Sequence, residues 1–254
     1  MSVLPTRVPT CSPLALARLG GLIYLAIIGL GLFGEAFVRG SLVLSGDAAG
    51  TAANIQASPG LWRAGIAGDL LMHVLDVPLI VILYLLLRPV SRSLALLATL
   101  LNIVQTCVLV ANKLTLVLPV VLLLSNPVSL SGLSRQELNA LSYLSIQLHG
   151  HGFGVGLIFF GVACLVRGHL IFRSGYFPKV LGVLLGVAGI SYLVNSVALL
   201  LAPSLASAMF PAVLLPAFVG ELALCLWLIV KGVNADAWQQ ALVANGLQNI
   251  RYDA

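Results

Sequence analysis

The residues with the clearest chemical potential are three ionisable side chains inside one apolar segment. The sequence GDLLMHVLDVP places Asp69, His73 and Asp76 at positions i, i+4 and i+7. In an α-helix this spacing puts all three side chains on one face. Carboxylates and imidazoles can bind cations, exchange protons or ligate metals. Pro78 follows, and its missing amide hydrogen frees the carbonyl of Val74 as one more polar group.

A second polar stretch, QLHGHGFGVG, covers residues 147–156 at the start of another apolar segment. His149 and His151 lie two residues apart, so a helix points them about 200° away from each other and they cannot serve one site. The face of His149 carries small and polar residues, namely Ser142, Ser145, Gly152 and Gly156. The pattern predicts that His149 points into the protein and that His151 lies on a mixed, lipid-like face.

Two further ionisable residues, Lys113 and Glu221, lie inside apolar segments. A charge at the centre of a membrane helix costs about 2.5–3.5 kcal/mol, so such groups usually face a cavity or a partner. Glu221 and the two aspartates bring three negative charges against the single positive charge of Lys113. The excess could be relieved by protonation of the acids or histidines, by Arg63 reaching in, or by a bound cation. The candidate residues for a ligand or ion site are Asp69, Asp76, His149, Lys113, Glu221 and His73.

Three interpretations of these residues stay open. The first is a structural Lys–Asp pair beside neutral, hydrogen-bonded acids, and the second is a pocket for a small ligand or ion. The third is a catalytic metal site of Asp69, Asp76 and His149, where zinc or another divalent metal would activate water. The spacing is not specific to metalloproteins, and a haem between His73 and His149 rests on equally limited grounds. No cofactor is therefore predicted, and whether the protein is an enzyme stays open.

The elements that must position these residues are membrane helices. Of the 254 residues, 60% are hydrophobic and only 8% are charged, whereas about 25% of a soluble domain is charged. About 20 apolar residues suffice to cross a bilayer as a helix, and runs this continuous exclude a β-barrel. The sequence predicts an all-α bundle of six transmembrane helices within residues 18–230, at about 18–38, 61–87, 94–124, 138–166, 180–201 and 209–230.

Three features outside the spans carry structural predictions. Asp47 before an alanine-rich run predicts a short surface helix that ends at Pro59. Ser134 with Glu137 three residues on forms a capping-box pattern where the fourth span begins. The tail, residues 231–254, predicts an interfacial amphipathic helix with Trp238 at the membrane boundary.

The distribution of Lys and Arg predicts the orientation. Nine of them fall on one side, including Arg167 and Arg173 in the fourth connection, and three fall on the other, including Arg39. Because positive residues are retained in cytoplasmic loops, both termini are expected in the cytoplasm, including the N-terminal segment 1–17. The net charge of +5 has the same origin, and no basic patch interleaved with aromatic residues indicates a nucleic-acid partner.

Several phrases in the same order resemble a known family: ARLGGLIYLAIIGLGLFGEAFVR, GDAAGTAANI, LYLLLRPVSRSLALLA and HLIFRSGYFPKVLGVLL. They are similar to the bacterial membrane family called domain of unknown function 4386, over about residues 17–200. The resemblance implies a multi-span protein of the bacterial inner membrane and no particular activity. It also implies acids at the positions of Asp69 and Asp76 and a histidine at His149, whereas His73 departs from the family pattern.

These observations support three hypotheses of function. The first is an outward-opening polar pocket that binds a small ligand or ion, in a sensor, carrier or accessory subunit. The second is an intramembrane metal-dependent hydrolase that acts on a lipid-like substrate. The third is a structural subunit of a membrane complex, since small-residue pairs such as Gly182 and Gly186 favour helix association within the chain, in a homo-oligomer or in a larger complex.

Overall fold

The computed structural model describes residues 12–125 and 131–245. Six helices in these residues are long and apolar enough to cross a membrane, so the chain is a multi-pass membrane protein, as predicted. The six spans are α1 Pro13–Leu42, α3 Pro59–Leu87, α4 Arg92–Leu124, α5 Arg135–Arg173, α6 Lys179–Leu201 and α8 Ala212–Val230. Three shorter helices are α2 Ala48–Ala57, α7 Pro203–Met209 and α9 Ala235–Ala244. Residues 1–11 of the predicted N-terminal segment and 246–254 of the tail lie outside the described residues.

The predicted helix starts are confirmed in atomic detail. Asp47 caps α2, where its carboxylate accepts the Gly50 amide at 2.8 Å. The capping box at the start of α5 is complete, with the Glu137 carboxylate accepting the Ser134 amide at 2.7 Å. Each interaction satisfies an amide that the first helical turn leaves without an intrahelical partner.

The fifth helix of the chain, α5, is longer than predicted. Its 39 residues extend about 58 Å at the usual helical rise, well beyond the roughly 30 Å of a hydrocarbon core. No proline occurs between Arg135 and Arg173, and Gly175, with a φ of 72°, turns the chain after the helix. The prediction that Arg167 lies in a connection is therefore wrong, because this residue is inside α5 and only 6% exposed.

Two spans depart from regular α-helix beside the candidate site. In α1 the residues Phe33–Arg39 form a π-helical turn. In α4 the helix is interrupted at Lys113, which lies between the segments Arg92–Asn112 and Leu114–Pro119. Such irregular turns in membrane helices redirect side chains and are frequent at functional sites.

The six spans form a closed ring in the order of the chain. Each packs against the next, from α1 to α3, α4, α5, α6 and α8, and α8 closes the ring against α1. The tightest contact joins α5 and α6, where a Cβ on Gly182 would lie 2.5 Å from the Gly168 carbonyl oxygen. Only glycine allows the two helices to approach this closely.

The two ends of the ring are closed by different elements. At the end we call outer, α2 packs with Trp62, whose indole N–H donates to the Leu116 carbonyl at 3.1 Å. At the end we call inner, α9 docks through Trp238, whose indole N–H donates to the Leu86 carbonyl at 3.1 Å. The predicted tail helix thus exists and packs on the bundle, while its contact with the membrane surface stays a prediction.

Candidate functional site

A cavity of about 300 Å³ lies at the centre of the ring. All six spans contribute lining residues, and along α3 these run from Asp69 to Leu83. That interval corresponds to about 21 Å of helix, so a cavity of this volume is long and narrow. Its lining is mixed: α1, α3 and α4 each contribute several polar side chains, α5 and α8 contribute one charged side chain each, and apolar side chains come mainly from α1, α3, α5 and α8.

A buried ion cluster lines the outer end of the cavity. The Asp69 carboxylate accepts from the Arg39 guanidinium at 2.7 Å and from the Lys113 ammonium at 2.9 Å. The side chains of Asp69, Lys113 and Arg39 are 1%, 3% and 11% exposed. Arg39 also pairs with Glu35 at 2.7 Å, as the i, i+4 spacing predicts, and the Glu35 side chain is 65% exposed. The shared carboxylate therefore holds two buried cations from two other helices.

The irregular turns explain how this cluster assembles. Arg39 is the last residue of the π-helical turn in α1, and Lys113 lies at the interruption in α4. Gly34 gives Asp69 its room, since a Cβ at residue 34 would lie 2.3 Å from the carboxylate. The close approach of α1 to α3 thus requires glycine at this position.

Asp76 lies deeper in the cavity and faces α4. Its carboxylate accepts from the Thr106 hydroxyl and from the Asn102 amide, the latter at 3.3 Å. Asn102 also donates to Gln105 at 2.7 Å. Asp76 is half-buried, so part of its carboxyl group is open to the cavity it lines.

Glu221 reaches the cavity from α8 and is held by two tyrosines. The Tyr24 hydroxyl donates to one carboxylate oxygen at 2.9 Å, and the Tyr192 hydroxyl donates to the other. Both tyrosines line the cavity with Glu221. The three residues tie α1, α6 and α8 together at the depth of the cavity, and the two acceptor oxygens are both used.

Two buried nitrogen atoms in the cavity lining have no hydrogen-bond partner among the described residues. One is Nε2 of His73, a residue that is 3% exposed. The other is Nη2 of Arg167, which is also without a carboxylate at ion-pair distance in the described parts of the chain. Unpaired polar atoms of this kind are rare in folded proteins, because each costs free energy unless a ligand or water satisfies it.

His149 is buried beside the cavity but is not among the residues that line it. The Asn112 amide donates to the backbone carbonyl of His149 at 2.8 Å and lies 3.1 Å from its ring Nδ1. A Cβ at Gly152 would overlap the Asn112 side chain, so the small-residue face of α5 does allow the close approach of α4. His151 is exposed, and its ring contacts the Gln147 carbonyl of its own helix.

The structure brings some predicted residues together and separates others. Asp69, His73, Asp76, Lys113 and Glu221 all line one cavity. Within the described residues, no three His, Cys, Asp or Glu side chains lie close enough together to hold a metal ion. The metal site of Asp69, Asp76 and His149 stays a prediction for which no preformed ligand set is visible in those residues.

Sequence reasoning missed two of the three buried cations in the lining, Arg39 and Arg167. Both were predicted to lie in connections between spans, Arg39 on the outer side and Arg167 on the inner side. The three predicted acids therefore face three cations, and the fourth acid of the described lining, Glu35, is exposed and paired with Arg39. The signal for Arg167 was its spacing, since Phe153, Phe160 and Arg167 follow one another at intervals of seven on α5 and all three line the cavity.

Comparison with known proteins identifies a family and no activity. Residues 19–232 match the family described as Domain of unknown function (DUF4386). An uncharacterized protein of the archaeon Archaeoglobus fulgidus is 29% identical over 167 residues, which cover 66% of this chain and 83% of the relative. No solved structure matches the chain significantly.

Proposed function

The chain belongs to the family described as Domain of unknown function (DUF4386), and since membership brings no activity we propose one from the cavity. The protein binds a small amphiphilic molecule inside the membrane, as a sensor, a carrier or an accessory subunit. The observation that supports this most strongly is the composition of the cavity lining. Polar side chains, mainly from α1, α3 and α4, and apolar side chains, mainly from α1, α3, α5 and α8, surround the same narrow space.

The size of the cavity fits this kind of ligand. Small-molecule pockets typically measure about 300–1,000 Å³ and combine apolar walls with a few placed polar groups. The cavity has about 300 Å³, which is at the lower end of that range. A slender molecule with both apolar and hydrogen-bonding parts would match its walls better than a single ion or a bulky ring system.

The contacts between α1 and α8 support access from the lipid. Towards the inner end these helices touch, with the Cys225 thiol 3.4 Å from the Gly21 carbonyl oxygen. Towards the outer end, Leu32 and Phe218 line the cavity and are also 50% and 40% exposed. In a membrane those exposed faces contact acyl chains, so the cavity can take up a lipid-soluble molecule between the two helices.

The location proposed for the protein is the bacterial inner membrane, with both termini in the cytoplasm. It rests on the positive charges of the inner end and on the resemblance of the sequence to bacterial proteins. Association with further copies through glycine-rich faces also stays a proposal, although Gly182 is already engaged within the chain by Gly168.

The experiment that tests ligand binding compares two matched substitutions on α1. Gly31 lines the cavity, and a Cβ there would meet only the Met72 sulfur at 3.4 Å, so Gly31→Phe should fill the cavity mouth. Gly29, two residues earlier, is exposed, and a Cβ there would meet no atom within 4 Å, so Gly29→Phe should leave the cavity open.

Each protein is purified from its native membrane in a neutral detergent, and its bound small molecules are extracted and identified by mass spectrometry. We expect one amphiphile near one-to-one stoichiometry with the wild type and with Gly29→Phe, and a strong reduction with Gly31→Phe. Equal recovery from both variants, or the absence of any such molecule from the wild type, would contradict the proposal.

A further inference from the structure

Arg167 is a buried cation that the described protein leaves without a partner. It is 6% exposed, its Nη2 nitrogen has no hydrogen-bond acceptor, and no described carboxylate lies within 4.0 Å of its guanidinium. Asp76 and Glu221 are near enough to interact electrostatically with Arg167, but neither forms an ion pair with it. A buried guanidinium without hydrogen-bond acceptors is unfavourable in a membrane protein. The Arg167 side chain lines the central cavity, so a molecule in that cavity can reach the guanidinium.

The other charged groups of the cavity are occupied by protein donors and acceptors. Asp69 holds both Arg39 and Lys113 at the outer end. Glu221 accepts from two tyrosine hydroxyls, and Asp76 accepts from a threonine and an asparagine. Both donors to Asp76 reach the same oxygen, Oδ2. Among the three cations of the described lining, Arg167 is the one that makes no hydrogen bond and no ion pair.

The position of Arg167 assigns it to one end of the ligand. On α5 the lining residues run from Phe153 near the outer end through Leu157 and Phe160 to Arg167 nearest the inner end. On α3, the lining residues deepest towards that end are Leu79 and Leu83. On α1 and α8 the innermost lining residues are Tyr24 and Glu221, which are hydrogen-bonded to each other. The inner end of the cavity thus combines one guanidinium, this tyrosine–glutamate pair and apolar walls.

We infer that Arg167 binds the anionic group of a single-chain amphiphile, a carboxylate or phosphate whose hydrocarbon chain occupies the narrow cavity. This inference rests on the proposed function and names the class of its ligand. A guanidinium is suited to the task because its planar array of N–H groups matches two oxygens of a carboxylate or phosphate. Arg167 is in this account a binding residue for the head group, and the apolar walls select the chain.

The inference is tested with purified protein in a neutral detergent and four probes: myristate, myristyl alcohol, myristylamine and inorganic phosphate. The first three share one chain and differ in the head group, and the last has an anion without a chain. The readouts are the unfolding temperature and the dissociation constant of each probe. At about one hundred times its Kd, myristate should raise the unfolding temperature by roughly 5 °C. At the same concentration, each of the other three probes should raise it clearly less.

Three variants separate recognition from folding. Arg167→Gln should weaken myristate binding by about tenfold or more, the usual effect of losing a charged hydrogen bond, while Arg167→Lys should retain part of the affinity. Arg173→Gln is the matched control, since Arg173 is an exposed residue on the same helix and does not line the cavity. Without ligand, Arg167→Gln should unfold at the same temperature as the wild type or higher, because it removes an unpaired buried charge.

The possible results divide clearly. Myristyl alcohol binding as well as myristate, with no effect of Arg167→Gln, would overturn the inference and leave the proposed function standing. A preference for myristylamine would overturn it in favour of Asp76 and Glu221, and phosphate binding as tightly as myristate would overturn the requirement for a chain. Strong destabilisation of ligand-free Arg167→Gln and Arg167→Lys would make Arg167 a structural residue. If no chain-bearing probe binds the wild type, the proposed function itself fails.

Discussion

Asp69 holds the outer end of the site together because one of its carboxylate oxygens accepts from two cations. Oδ2 lies 2.7 Å from Arg39 Nη1 and 2.9 Å from Lys113 Nζ. Each cation comes from a different helix, so the aspartate joins α1 and α4 to α3. With Asp69, Arg39 and Lys113 all ionised, these three buried groups keep one positive charge. The exposed Glu35 carboxylate, which pairs with Arg39, balances it.

The first prediction concerns this carboxylate. Asp69→Asn should lower the free energy of unfolding by about 3–5 kcal/mol, the usual cost of removing one partner from a buried ion pair. Two buried cations would then repel each other without compensation. The measurement is reversible unfolding in mixed micelles at increasing fractions of a denaturing detergent.

The matched control is Glu35→Gln, which removes an exposed partner of the same arginine. It should change the stability little, because solvent-exposed ion pairs contribute weakly. The double variant Asp69→Asn, Lys113→Met should recover part of the loss by removing one unpaired cation. Equal effects of Asp69→Asn and Glu35→Gln would contradict the central role of Asp69.

The residue scale also shows which parts of the site the sequence can predict. The i, i+4, i+7 spacing correctly placed Asp69, His73 and Asp76 on one face that lines the cavity. The reach of the long arginine side chains was not predictable in the same way. Arg39 has an adequate partner in its own helix, and nothing in the local sequence indicates that it also contacts Asp69.

At the scale of elements, two irregular helices explain the position of the cations. The π-helical turn Phe33–Arg39 changes the direction of the residues after Leu32, and the interruption at Lys113 does the same in α4. Hydrophobic periodicity predicts that a span exists and roughly where it ends. It does not predict a local change of helical type, because that depends on contacts with neighbouring helices.

The second prediction concerns the contact of α5 with α6. A Cβ on Gly182 would lie 2.5 Å from the Gly168 carbonyl oxygen, whereas a Cβ on Gly186 would meet no atom within 4 Å. Gly182→Ala should therefore lower the free energy of unfolding by about 1–3 kcal/mol through overpacking. Gly186→Ala should leave it unchanged or slightly raised, since alanine favours the helix.

Both variants can be measured with the same unfolding assay and by size-exclusion chromatography. Loss of stability by Gly186→Ala equal to that of Gly182→Ala would contradict the packing described for these helices. A change of oligomeric state in Gly186→Ala alone would instead support the predicted association of copies through this glycine.

At the scale of the whole molecule, the ring arrangement creates the cavity. The six spans pack in chain order around a closed ring, so one face of each span points to the centre. Where the side chains of these central faces are too small to meet, a cavity remains. The sequence predicted six spans and their approximate ends, because each is a long apolar run. The polar residues within the spans also suggested a pocket that opens outward. The sequence did not predict that the ring closes or that all six spans line the cavity, since both depend on which faces pair.

The third prediction concerns the orientation in the membrane. Arg39 and Arg167 are buried in the bundle, so eight Lys and Arg residues remain on the inner side and two on the outer side. The asymmetry still predicts a cytoplasmic inner end. In a cysteine-free background, Ser45→Cys near α2 should react with a membrane-impermeant maleimide in intact cells.

The control for orientation is Gln240→Cys on α9, which should react only after the membrane is made permeable. Both positions are exposed in the folded chain, so a difference in labelling reports the side of the membrane. Labelling of Gln240→Cys in intact cells, with Ser45→Cys protected, would reverse the predicted orientation.

The most direct test of the central claim is an experimental density map of the protein purified from its native membrane into lipid nanodiscs. We expect continuous, chain-like density along the cavity between the outer ion cluster and Arg167, ending within hydrogen-bond distance of the guanidinium. A cavity that is collapsed, or that contains only separate water peaks with Arg167 paired to Asp76 or Glu221, would contradict the central claim.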